Sequence, residues 1–332
     1  MSNSIAKRFQ NVNRVTGLGE GLKGTKYEEK KYQATRLLPL YQEVHELYPH
    51  ILKKNQLQDL IDCGTYLLMG ETKEHEYKVV GSNWCRNRKL CPTCQWRYNV
   101  NMHVIADYVF HEFLKQYPDS ILLFVTLTVK NVDGENLKET VDRMYRGYTR
   151  LTNKGRKHNK VKKLKDVFMG GCKVLEVTYS SKYGNFHPHL HCIFALDKSY
   201  FNNSKNYITK DEWIDMWQWA AELDYRPSID VQRIKPKSEK VGDIESAVRE
   251  TLKYTIKLYS LAKLPREEAI EVVKVFQEVL YHRQLISWSG EFRKIKAKCK
   301  YDIDNYSDRI EDSEIIRLVP FNWNWQAGVY IN

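Results

Sequence analysis

The sequence predicts an α+β chain. A central antiparallel sheet carries helices on one face and reactive polar side chains on the other, behind a cysteine-rich subdomain. Three observations predict it. Residues 186–194 and the final half of 121–129 send apolar side chains to one side and His or Thr to the other, as a half-buried strand does. Apolar residues at helical spacing occupy segments before, between and after these strands. Cys63, Cys85, Cys91 and Cys94 lie close together in the sequence, ahead of both strands.

Composition bounds the function. A chain of 332 residues has ample material for one elaborated domain or two. Its 53 Lys and Arg against 41 Asp and Glu give +12 at pH 7, which favours a polyanionic partner. No apolar run reaches the roughly 18 residues that span a bilayer, and the basic N-terminal stretch lacks the apolar core of a signal peptide. A soluble cytoplasmic protein with no membrane partner is the expectation. Seven cysteines, an odd number without an export signal, point to a reducing compartment in which thiols bind metal or pack.

Residues 1–30, with Gly17, Gly19, Gly21 and Gly24 among lysines, read as a mobile basic tail. Residues 31–60 carry Leu37, Leu38, Tyr41, Val44 and Leu47, then Ile51, Leu57 and Leu60, which suggests two helices interrupted at Pro49. Next come Cys63, a hairpin over 66–68 and 77–80, Cys85, and Cys91-Pro92-Thr93-Cys94. A C-x2-C pair with two further cysteines suits a tetrahedral thiolate zinc site; His75 is an alternative to Cys63 as fourth ligand. Arg86, Arg88 and Lys89 within that loop, flanked by Trp84 and Trp96, suit contact with nucleic acid.

A helix is expected over 95–116, stopping before Pro118, and then the strand 121–129 with Val125, Leu127 and Val129 on one face and Thr126 and Thr128 on the other. Residues 143–165 hold ten Lys or Arg and no acid, among them Arg143, Arg146, Arg150, Arg156 and Lys157. Either this is a solvated helix face, or phosphates supply the missing counter-charge, and the second reading is preferred.

The strand 168–178 leads through a polar turn into His187-Pro188-His189-Leu190-His191. Histidines at every second residue point one way, so His187, His189 and His191 face together and suit a divalent metal. With the turn centred on Lys182 and Tyr183, Glu176 falls opposite His189 on the same face and adds a carboxylate ligand; a slip of one residue would remove it. Such mixed ligation admits Mn2+ or Mg2+.

After a Trp-rich helix over 211–223 and a strand over 229–234, residues 243–259 show Ile244, Val248, Leu252, Ile256 and Tyr259 on one helical face. Glu250, Lys253, Tyr254 and Lys257 gather on the other. A carboxylate and a phenol one turn apart, flanked by two ammonium groups, suit phosphodiester cleavage. No role is assigned to residues 301–332.

Three segments in this order resemble the motifs of the plasmid rolling-circle replication initiators, the Rep proteins of the HUH endonuclease superfamily. They are Phe124-Val-Thr-Leu-Thr-Val-Lys-Asn131, His187-Pro-His-Leu-His191 and Glu250-Thr-Leu-Lys-Tyr-Thr-Ile-Lys257. The cysteine segment resembles that family's N-terminal region, so the similarity covers roughly residues 30–300. The resemblance implies a ferredoxin- or RRM-like HUH fold. It implies the metal pair His189 and His191, with Glu176 preferred over His187 as third ligand. Tyr254 is the implied nicking nucleophile, and Glu250 the group that activates water at termination, where HUH transposases that share the cysteine knuckle and HPHLH carry a second tyrosine.

Asn131, at the end of the first segment, joins the expected DNA contacts. The implied activity is metal-dependent nicking and rejoining of origin DNA, single-stranded or extruded, through a 5′-phosphotyrosine. Host helicase and DNA polymerase are the implied partners, and a homodimer is compatible. The expected division is a tail over 1–30, a helical zinc-knuckle subdomain over 31–98, the endonuclease domain over 99–300 and an extension over 301–332. The rival readings are an HUH transposase and a non-catalytic zinc-containing DNA-binding regulator.

Overall fold

A computed structural model describes residues 15–16, 22–153, 155, 158–234, 258–299 and 314–332. Along the chain come β1 (Val15–Thr16), α1 (Lys26–Leu47), α2 (Lys54–Asp62), β2 (Tyr66–Thr72), β3 (Glu76–Ser82), α3 (Pro92–Gln116), β4 (Ile121–Thr128) and α4 (Gly134–Thr152). They are followed by α5 (Lys162–Val167), β5 (Phe168–Ser180), β6 (Asn185–Leu196), α6 (Ser199–Asn202), α7 (Lys210–Ala220) and β7 (Ile229–Ile234). Last are α8 (Leu258–Leu261), α9 (Arg266–Leu280), β8 (Ile286–Ser289), α10 (Gly290–Lys298), β9 (Ile315–Asn324) and β10 (Val329–Ile331). No helix among the described residues is long and apolar enough to cross a membrane.

Two compact units form, and neither is contiguous in sequence: one takes residues 1–104, 257–281 and 301–332, the other 105–256 and 282–300. This differs from the expected blocks because the 301–332 segment supplies strands to the first unit. Its antiparallel sheet runs β1-β3-β2-β9-β10, with β9 paired along all of β2 from Tyr66↔Asn322 to Thr72↔Ile315. Val319, Phe321 and Trp323 alternate inward from β9 to meet Leu67, Met69 and Val79, with Tyr27 and Trp96 closing the same core. Thr25 caps α1 by accepting the Glu28 N–H and Leu22 is fully buried, so residues 22–30, expected as part of the tail, belong to this unit's fold. Arg266 ties α9 to α1 through Glu43 Oε2 at 2.6 Å and the Pro39 carbonyl at 2.7 Å.

The second unit is built on the antiparallel sheet β7-β4-β6-β5-β8. One face receives α4, whose Leu137, Val141, Met144, Tyr148 and Leu151 recur at helical spacing and are buried. Burying each such side chain is worth about 1.5–3 kcal/mol. Helix α7 joins them: Trp213 stacks on Phe194 with centroids 5.7 Å apart, and Trp217 Nε1 donates to the Thr128 carbonyl at 2.8 Å.

The other face is not bare, which corrects the expectation of helices on one face only. Phe292 of α10 packs there edge-on against Phe110 and Phe113 of α3. The glycine pair in β5 explains both covers. A Cβ on Gly171 would lie 2.6 Å from the Tyr148 hydroxyl on the α4 side, and one on Gly170 would lie 3.0 Å from the Phe292 backbone nitrogen on the α10 side. Helix α10 lies against the Gly170 end of this face; Glu176 is six residues further along β5.

Candidate metal centre and nucleic-acid interface

The β5–β6 hairpin turns through residues 181–184, with Gly184 at φ +60° and the Tyr183 N–H donating to the Ser180 carbonyl at 3.2 Å. That turn sets the register Ser180↔Asn185, and hence Thr178↔His187, Glu176↔His189 and Val174↔His191. Period-two alternation then puts Glu176, His189 and His191 on one face. His189 Nε2 lies 3.1 Å and His191 Nε2 3.0 Å from the same oxygen, Glu176 Oε2, and one ligand atom from each residue falls within 4.8 Å of the others.

Burial opposes ionisation of Glu176, but hydrogen bonds from the two histidines and their charge outweigh it and hold the carboxyl well below the usual range. His189 Nδ1 is buried with no hydrogen-bond partner, so the ring's polar contact is made through Nε2 alone. Two imidazole nitrogens converging on one carboxylate form a three-ligand set with the donor chemistry of a divalent-cation site.

His187 stands outside this set. It is exposed opposite Thr178, with its ring centroid 5.0 Å from that of His189. Burial and then the neighbouring His189 lower its pKa, and Glu176 opposes them.

Strand β4 supports the histidines from the side. Thr126 pairs with His191 and Thr128 with His189. Thr126 Oγ1 lies 3.3 Å from His191 Nδ1, and the Phe124 ring stacks on His191 at 5.6 Å. If an ion replaced the Nε2–H···Oε2 contact, an Nδ1–H donated to Thr126 would leave the Nε2 lone pair free to ligate it. The Thr-x-Thr alternation showed the shared face; nothing in the sequence showed the hydrogen bond. Beyond β4, Asn131 Nδ2 donates to Asn185 Oδ1 at 3.2 Å, and Val132 exchanges backbone hydrogen bonds with Phe186.

In the first unit, Cys63, Cys85, Cys91 and Cys94 converge, with Sγ–Sγ separations of 3.5 Å (Cys63–Cys94), 3.6 Å (Cys85–Cys94) and 3.6 Å (Cys63–Cys91). Disulfide sulfurs would be about 2.05 Å apart. Sulfurs at about 2.3 Å from a tetrahedral ion are about 3.8 Å apart. The thiols therefore fit a closed four-sulfur metal site. Backbone N–H groups of Cys85, Asn87 and Cys94 point at the sulfurs of Cys63, Cys85 and Cys91 at 3.3–3.5 Å. Hydrogen bonds from the other three cysteines hold the Cys91 thiol well below its ordinary value.

Lys31 is fully buried beside the cluster, its Nζ donating to the Cys63 carbonyl at 2.7 Å. Burial lowers its pKa, and the charge of Cys63, Cys91 and Cys85 raises it. A buried ammonium is costly without negative charge nearby, so Lys31 fits a thiolate cluster. His75, the alternative ligand, sits instead in the β2–β3 turn with Nδ1 2.8 Å from Glu71 Oε1.

Residues 76–331 match the family model described as a replication protein. A replication protein of Staphylococcus aureus is 33% identical over 229 residues, covering 67% of this chain and 94% of that protein. The chain belongs to the Rep replication-protein family. Protein rep of Lentilactobacillus hilgardii is 29% identical over 85% of this chain and 90% of its own length, and protein rep of Streptococcus pneumoniae 26% over 88% and 87%. No solved structure matches the chain.

In this Rep family member the expected DNA contacts fall into different surroundings. Arg86 is exposed, Arg88 and Lys89 are half-buried, and burial lowers the Lys89 ammonium. Trp96, expected beside nucleic acid, is instead a core residue set edge-on to Tyr27 at 5.0 Å, because its position on α3 faces the sheet. On α4, Arg146 is exposed and Arg143 half-buried. Arg150 is engaged: it donates to the Ala220 carbonyl at 2.8 Å and pairs with Glu222 at 2.6 Å, joining α4 to the end of α7. Arg156, Lys157, Glu250, Lys253, Tyr254 and Lys257 lie outside the described residues. Sequence reasoning passed over Lys31, whose signal was its place in the buried stripe Tyr27, Lys31, Ala34, Leu38. It also passed over Arg97 and Tyr98 on α3.

Proposed function

We propose that this chain initiates rolling-circle replication of a plasmid by nicking one strand of its origin through Tyr254, and ends the round with help from Glu250. The observation that carries this reading is the convergence of His189 and His191 on Glu176, beside the Phe124–Asn131 segment, in a chain of the Rep family. The order β4-α4-β5-β6-α7-β7, with strands laid out β7-β4-β6-β5, supports a ferredoxin-like reading of the second unit.

Glu176, His189 and His191 would hold a divalent ion, Mn2+ or Mg2+. Bound there, it would polarise a phosphate oxygen and orient the scissile group. The Tyr254 phenolate oxygen attacks phosphorus; its P–O bond forms as the P–O3′ bond breaks, and the 3′-oxygen leaves with a proton as a primer hydroxyl. Lys253 and Lys257 favour the phenolate and hold the phosphate. Bond energy is conserved in the 5′-phosphotyrosine, so the strand can be rejoined. Origin DNA, single-stranded or extruded, is the substrate; a host helicase and polymerase extend from the primer.

Incubating the protein with Mn2+ and a supercoiled plasmid carrying its cognate origin, then mapping the DNA-linked peptide, tests this. The expected peptide contains Tyr254. A link to Tyr259 or another tyrosine would refute that nucleophile, and ion-independent binding without nicking would favour a regulator.

Two further outcomes are expected. Thr126→Val should weaken Mn2+ binding about tenfold, with Thr126→Ser restoring most of it, because ligand-orienting hydrogen bonds are worth on the order of 10–100-fold in metal affinity. Equal calorimetric affinity in all three proteins would remove Thr126 from the site. Protein purified without chelator should contain one zinc per chain at Cys63, Cys85, Cys91 and Cys94, and stripping it should lower the melting temperature or DNA affinity. Substoichiometric zinc, or disulfides among Cys85, Cys91 and Cys94, would refute that assignment.

A further inference from the structure

The loop between Cys85 and Cys91 and the first turns of α3 form a groove lined by Trp84, Arg86, Arg88, Arg97, Tyr98 and Asn101, together with Cys94. Three guanidinium groups line it, and among the described residues no carboxylate does. Two of them lie over aromatic rings: Arg97 is 4.1 Å from the Trp84 ring centroid, and Arg88 is 4.2 Å from that of Tyr98. A guanidinium held over an aromatic ring loses freedom while keeping the planar fork of donors that suits bidentate phosphate binding. Trp84 also packs on Tyr27, with centroids 6.3 Å apart.

Arg86 is exposed with φ at +58°, in the left-handed region that a β-carbon disfavours. The turn Cys85-Arg86-Asn87, closed by the Asn87 N–H on Cys85 Sγ at 3.4 Å, keeps it there. On the inner side, Asn87 Oδ1 accepts the N–H groups of Lys89 and Leu90 at 3.2 and 3.1 Å, and Tyr41 OH donates to the Leu90 carbonyl at 2.6 Å. The arginine loop is thus anchored to the cysteine cluster and to α1.

We infer that this groove is a clamp for the sugar-phosphate backbone of DNA, with Arg97 and Arg88 as its fixed cations and Arg86 as its exposed one. It extends the proposed function, resting on DNA being the polyanion that this chain binds. It is a site on the cysteine-bearing unit, separate from the histidine face. Arginine occupies the ring faces of Trp84 and Tyr98 that a base would otherwise stack on. The contact is therefore to phosphate and not to bases, and its contribution is independent of sequence.

The test measures DNA affinity against NaCl concentration for the wild type, Arg97→Gln, Arg88→Gln and the double variant. Each protein is titrated with a cognate duplex, a scrambled duplex and a single strand, and zinc content and melting temperature are followed in parallel. Each lost phosphate contact should flatten the plot of log affinity against log salt by about 0.9 on duplex or 0.7 on single strand. The double variant should lose twice that, equally on cognate and scrambled duplex, with zinc retained. An unchanged slope would overturn the clamp. Loss confined to the cognate sequence would overturn it in favour of base reading, and loss of zinc would show that the arginines serve only to balance the thiolates. A wild type that binds no DNA would instead overturn the proposed function.

Discussion

Alanine at His189 or His191 should reduce ion-dependent nicking by about a thousandfold or more, since a metal's stabilisation of a phosphoryl transition state is worth several kcal/mol. Each histidine would supply one of three protein ligands, and both Nε2 atoms already meet at Glu176 Oε2. Glu176→Ala removes the one anionic ligand and leaves two imidazoles without their shared partner, so Mn2+ affinity should fall at least as far. His187→Ala should leave Mn2+ affinity within about twofold, since that ring stands exposed and outside the converging set. Calorimetric Mn2+ titration and nicking of a single-stranded origin oligonucleotide check all four variants. If Glu176→Ala binds the ion as wild type and His187→Ala does not, the third ligand is His187.

Much of this was legible because it is local. A strand of alternating His and apolar residues can face only one way. A turn centred on Lys182 and Tyr183 fixes Glu176 opposite His189 by counting, and the structure has that register. The helices α1 and α2 and the strands β4 to β7 follow from periodicity in the same manner. What was not legible is non-local. The alternation Val319, Phe321, Trp323 marks a strand, but its partner β2 lies about 250 residues earlier, and no local pattern names a partner at that distance. The second helical cover of the β5–β6 face depends on Gly170 and Gly171 admitting a helix backbone on one side and a tyrosine on the other. A Gly-Gly pair in a strand signals close approach without saying what approaches. Lys31 was readable in principle as a charge in an apolar stripe, yet only the folded chain shows the sulfur cluster that accounts for it.

Tyr254→Phe should abolish the covalent protein–DNA adduct altogether while origin binding persists, because the substitution deletes only one hydroxyl. The companion variant Glu250→Ala separates the two ends of a replication round. Four residues separate Glu250 from Tyr254, so on the helix expected from the sequence the two would stand one turn apart on the same side and could reach a single phosphate. A tyrosine nucleophile stores the phosphodiester and permits reversal. A carboxylate that takes a proton from water lets hydroxide displace the strand, leaving a hydrolysed end that cannot reverse. Initiation requires the first outcome and termination the second. Glu250→Ala is therefore expected to nick and join through Tyr254 but to run past the end of the round, accumulating concatemeric single strands from a two-origin plasmid that scores initiation and termination separately. Equal loss of both steps would make Glu250 a ligand for the ion or the phosphate, and no loss would remove it from the reaction.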